Sequence, residues 1–158
     1  MDKIQLKHDR MRFTKNKASA NLAYLAILFN VLYFVSIYSS DVGNNYYNIK
    51  IGISVVYNLL FLLTAFLSSE GLKAYRLPYA IIITVIGALQ LVRILGYPLG
   101  GYNTVLDSGA RVMEMKQLVY TVVMLSLSSI SAIASGVIGI VRTLALARYN
   151  RSLAESAE

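Results

Sequence analysis

Residues 29–38 read Phe-Asn-Val-Leu-Tyr-Phe-Val-Ser-Ile-Tyr, and residues 57–66 read Tyr-Asn-Leu-Leu-Phe-Leu-Leu-Thr-Ala-Phe. Both place one amide, Asn30 or Asn58, inside a run of aromatic and aliphatic side chains. Each lies within a longer charge-free segment, Ala18 to Ser40 and Ile51 to Ser69. About 20 apolar residues of helix cross a bilayer, so both segments read as membrane spans. The first is too long for the apolar region of a secretory signal, and no small-x-small cleavage site follows it.

Between them, Asp41, Gly43, Asn44 and Asn45 predict a tight turn and hence an antiparallel helical hairpin. Asn30 and Asn58 are almost equidistant from that turn, as are Tyr33 and Tyr57. The four side chains are therefore expected in one layer, with each amide facing the other. An amide in hydrocarbon needs such a partner.

Two further spans follow. Pro78 suits the first turn of a helix expected to run from 78 to about 97, before Pro98, Gly100 and Gly101. Gln117 to Val141 is charge-free and begins the fourth span, 117–142. The second span, 49–69, is expected to stop at Glu70, with Gly71 as its capping residue. Residues 98–116 form the outer loop, where Asp107-Ser108-Gly109 suggests a short hairpin. The predicted fold is thus all-α: an integral membrane bundle of four transmembrane helices, spans about 18–40, 49–69, 78–97 and 117–142. A basic segment, 1–17, precedes the transmembrane domain 18–146, and a polar tail, 147–158, follows it.

Charge sets the expected orientation. Of the 158 residues, 56% are hydrophobic and 15% charged, and the net charge is +7. Eleven Lys and Arg fall in 1–17, 70–77 and 142–158, against three (Lys50, Arg111, Lys116) on the other side. The positive-inside rule then puts both termini in the cytoplasm of a cell membrane, the bacterial cytoplasmic membrane being the expected one. Ten of the 12 tyrosines fall at the expected membrane boundaries, leaving Tyr33 and Tyr57 in the hydrocarbon. The surplus positive charge thus follows the membrane and its anionic cytoplasmic headgroups, and no nucleic-acid partner is expected. Ile4, Met11 and Phe13 would dip toward those headgroups if 1–17 forms an interfacial helix.

Three constellations are candidates for function. The first is the layer Asn30, Tyr33, Tyr57 and Asn58. The second is Gln90 and Arg93, one turn apart on the third span. Arg93 is expected to snorkel to the nearby outer headgroups, or to pair with Asp107 or Glu114; anion recognition is the alternative. The third is the fourth span, where Ser128, Ala132 and Gly136, and likewise Ser131, Ser135 and Gly139, recur at four-residue steps. Such small-residue ridges let helix backbones approach closely. A hydroxyl-lined pathway along them is the less favoured alternative, because serine can return its hydroxyl bond to its own helix.

Absences narrow the function. No cysteine exists, and the one histidine, His8, lies outside the spans, so no paired-ligand metal or haem site and no Ser–His or Cys–His nucleophile is expected. No carboxylate lies inside a span, against proton coupling through a membrane acid or a cation channel with an acidic ring. The expectation is a non-enzymatic protein without cofactor or metal. Its leading role is an accessory or assembly subunit of a larger membrane complex such as a transporter, packing through the ridges against other subunits or itself. The alternative is a self-associating transporter or channel for a neutral or anionic solute.

Overall fold

The computed structural model describes residues 3–38, 48–106, 109 and 111–156. Five helices account for nearly all of them: α1 Lys3–Phe13, α2 Lys17–Tyr38, α3 Asn48–Lys73, α4 Leu77–Asn103 and α5 Met115–Glu155. The last four are long and apolar enough to cross a membrane. The expected turn at 41–45 lies outside the described residues.

The four long helices share one sequence rule. Buried positions alternate at steps of three and four: Ser19, Ala23, Ala26, Asn30, Tyr33 and Ile37 on α2; Ser54, Asn58, Phe61, Ala65, Ser68 and Leu72 on α3; Ala80, Ile83, Gly87 and Gln90 on α4. On α5 the same rhythm runs from Leu118 through Thr121, Leu125, Ser128, Ala132 and Ser135 to Gly139. A mean step of 3.5 keeps one seam facing its neighbours along the whole helix, the geometry of left-handed bundles. Sequential helices run antiparallel, and α5 closes the ring by packing on both α4 and α2. The outward faces expose large apolar side chains such as Ile53, Val56, Leu60, Val92 and Leu95, as hydrocarbon requires.

Helix ends differ from the sequence expectation in two places. α3 continues past Glu70 and Gly71 to Lys73. The chain turns instead at Tyr75, whose φ of 53° is left-handed. There Arg76 N donates to Gly71 O and Tyr75 N to Leu72 O, both at 3.1 Å, closing the carbonyls of the last turn. Gly71 serves packing, because a Cβ there would meet the Tyr79 ring. α4 runs through Pro98 to Asn103, six residues beyond its expected end. Proline lacks one N–H but helical φ suits it, so the helix persists where other contacts hold it. Pro98 is buried, and Gly101 packs on the buried Met113. The expected hairpin reduces to one antiparallel bridge, Val105 to Arg111, with Gly109 at φ 79° in the turn; Asp107, Ser108 and Ala110 lie outside the described residues.

At the end of the bundle where the chain termini lie, Asn16 joins three helices. Its backbone N donates to Lys73 O at 3.1 Å. Its side chain accepts from Ser19 N, capping α2, and also from Arg142 of α5 at 2.8 Å. Beyond that junction α5 continues to Glu155, and α1 packs against this extension through His8 and Tyr149.

Candidate functional site

Toward the loop end of the bundle, α2, α3 and α4 bring Asn30, Asn58, Gln90 and Arg93 together. Gln90 Nε2 donates to Asn30 Oδ1 at 2.8 Å, across the ring from α4 to α2. Asn30 Nδ2 donates to Asn58 Oδ1 at 3.4 Å. Arg93 donates to the same oxygen at 2.6 Å, and through its other terminal nitrogen to Ser54 Oγ at 3.0 Å. The guanidinium carbon lies 4.6 Å from the Tyr33 ring centre and 4.9 Å from that of Tyr57. Asn30, Tyr33, Asn58 and Gln90 are fully buried.

The charged end fixes the direction of this chain. A guanidinium only donates, so Asn58 must turn its oxygen to Arg93. Asn30 must then present its amide nitrogen to that oxygen, which leaves Asn30 Oδ1 for Gln90 Nε2. Two polar atoms of the amide chain remain with no partner: the donor Asn58 Nδ2 and the acceptor Gln90 Oε1. The polar side chains beside the Tyr33 hydroxyl are Ser54 and Arg93.

Arg93 therefore does not snorkel. It turns into the bundle, where two tyrosine faces and two side-chain oxygens solvate it, a combination worth more away from water than at the headgroups. Glu114 is exposed and makes no ion pair with it, and Asp107 lies outside the described residues. Among the described residues the ion pairs are Arg12–Asp9 and Lys73–Glu70, so no carboxylate neutralises Arg93. The cluster offers a delocalised cation with a free donor beside it, and no nucleophile or base. Ser54 is the member that sequence reasoning missed; it starts the three-four rhythm of α3, the signal that points it inward.

Three serines of α5 bond to other helices rather than their own. Ser128 Oγ donates to Ala26 O at 2.8 Å, and Ser135 Oγ to Ser19 O at 2.7 Å, both carbonyls on α2. The donors are seven residues apart on α5 and the acceptors seven apart on α2, as antiparallel helices demand. Ser129, also missed, donates to Gly87 O on α4 at 2.7 Å. These bonds cross between helices because small residues bring the backbones within hydroxyl reach. A Cβ on Gly136 would lie 2.7 Å from Ala80 O, and one on Gly139 would lie 3.1 Å from Ala80 Cβ. Ser131 and Ala132 are buried in the same surface. Both ridges thus pack inside this one chain.

Among the described residues, no group of His, Cys, Asp and Glu is arranged to hold a metal ion. Compared with models of protein families, with characterised proteins and with solved structures, the chain matches none.

Proposed function

We propose that the chain is an integral membrane protein, both termini cytoplasmic, that binds and moves an anionic solute at Arg93, without enzymatic activity. One observation carries this reading: a guanidinium inside the bundle with no carboxylate partner among the described residues, beside the unpartnered donor Asn58 Nδ2. Buried charges are normally paired, and buried donors are normally satisfied. An anion beside them would answer both groups, with the Tyr33 hydroxyl close by, while Gln90 Oε1 would accept from a hydroxyl on the same solute. The seam between α3 and α4, which carries Ser54, Asn58 and Arg93, is the sparsest of the four that close the bundle. It is the natural side of approach, and its apolar flanks favour a solute with a short hydrocarbon part. The accessory-subunit reading drew on the α5 ridges, and these residues are already packed against α2 and α4.

The test uses the full chain in mild detergent, titrated with hexyl phosphate, hexanoate and hexyltrimethylammonium. We expect the two anions to raise the unfolding midpoint and the cation to leave it unchanged. Arg93→Gln should weaken anion binding by about tenfold or more, and Tyr33→Phe by several-fold. Equal stabilisation by the cation, or unaltered binding in Arg93→Gln, would sink the proposal. Anion flux into liposomes holding only this protein, lost in a folded Arg93→Gln, then separates transport from binding alone.

A further inference from the structure

A second basic site lies at the opposite end of the molecule and does not rest on the Arg93 reading. α1, the turn after α3, and α5 line a half-open cavity of about 330 Å³. Lys7, Arg10, Lys15 and Arg142 line it, with Thr14 and Tyr75 supplying hydroxyls. No acidic side chain is among its walls. Among the described residues none of the four cations is in an ion pair: the nearby Asp9 is paired with Arg12, and Glu70 with Lys73. Lys15 feels the Glu70 charge without bonding it.

The cavity is built on fixed parts. Arg142 is half-buried, and its guanidinium is anchored by Asn16 Oδ1, itself locked to α3 through Lys73 O. His8, also in the wall, tilts against Tyr149 with ring centres 5.6 Å apart, which holds α1 over the opening. Phe13 and Leu6 of α1 are 80% and 59% exposed, apolar groups that a bilayer surface would cover. Four convergent cations around a space this size match a tetrahedral, multiply charged oxyanion.

We propose that this cavity binds a phosphate-bearing ligand, either a lipid phosphomonoester headgroup or a free phosphate. Native mass spectrometry of the full chain in mild detergent, with phosphatidic acid, phosphatidylcholine or inorganic phosphate added, tests it. We expect a phosphate to bind and the Lys7→Gln/Arg10→Gln variant to lose about tenfold or more in affinity. Both residues are exposed and outside the long helices, so the variant should fold. Arg148→Gln/Arg151→Gln removes equal charge from the same end of α5, outside the cavity, and should leave affinity within about twofold. Binding of inorganic phosphate assigns a soluble source; binding of phosphatidic acid without it assigns a headgroup. Either supports the site. No preference for phosphatidic acid over phosphatidylcholine without phosphate binding, or equal losses in the two double variants, overturns it.

Discussion

The two halves of the bundle core solve the problem of burying polar groups in opposite ways. In the half near the chain termini, inward of the Asn16–Arg142 junction, polarity is thin and local. Ser128, Ser129 and Ser135 each give one hydroxyl to a neighbouring backbone carbonyl, and the remaining volume goes to Ala20, Ala23, Ala65, Gly136 and Gly139. Ser68 and Thr143 are lone exceptions there, each a single neutral hydroxyl without a partner. In the half near the loops, three amides and a guanidinium form one connected chain, and its unpartnered atoms gather around the charge. The first half brings helices together at close range. The second holds an unbalanced charge where packing alone would have placed leucine. Most buried polar groups of the first half are satisfied one at a time, whereas those of the second share one network whose loose ends remain unpartnered.

The largest effect should come from crowding the close-packed half. Gly136→Val would press side-chain atoms onto Ala80 O and Thr84, both fixed by α4 backbone. We expect a loss of about 3 kcal/mol, measured by unfolding in mixed micelles. Gly96 is also a helical glycine, yet nothing lies within 4 Å of its Cβ position. Gly96→Ala should leave stability unchanged or raise it by about 0.5–1 kcal/mol through helix propensity. Equal damage from both would erase the distinction between packed and open glycines.

This asymmetry was only half legible in the sequence. Four helices long and apolar enough to cross a membrane, and the meeting of Asn30 with Asn58, followed from charge-free lengths and distances to a turn. The direction of Arg93 did not follow. Its choice between headgroup and interior depends on whether tyrosine faces and amide oxygens converge on it, and these come from helices 35 or more residues away. The partners of the serines did not follow for a similar reason: one helix in isolation offers a hydroxyl only its own carbonyls. Helix ends were misplaced where a tertiary contact outweighed a local signal. Tyr75 took the left-handed turn that glycine usually fills, and Pro98 sat inside a helix.

A smaller effect, with a sharper reading, should come from breaking the amide chain. Asn30→Leu strands Gln90 Nε2 in the core and should cost about 1–3 kcal/mol. Gln90→Leu in the same background removes the stranded group, so the double variant should recover most of that loss. Simple additivity of the two single losses would mean that Asn30 and Gln90 contribute independently.

Arg93 gives the reverse sign. Arg93→Met removes a half-buried charge that no described carboxylate neutralises, leaves Asn58 Oδ1 bonded to Asn30, and keeps a flexible apolar side chain. We expect stability unchanged or higher by about 1 kcal/mol, together with weaker binding of hexyl phosphate. A clear loss of stability would make Arg93 a structural strut and remove the main argument for a ligand.

The smallest change should come from Ser135→Ala. It deletes the hydroxyl that reaches Ser19 O and keeps a side chain small enough for the backbones to stay close. The carbonyl it frees still belongs to the α2 helix ladder, so no group is stranded. Interhelical bonds of this kind average about 0.6 kcal/mol, and we expect a loss near that value. Ser135→Leu should cost several times more, because it forces α5 away from α2. The pair separates hydrogen bonding from close approach as the force holding this half together. If Ser135→Ala proved as damaging as Gly136→Val, the hydroxyl bonds would be its main source of strength, and both halves of the core would be polar networks.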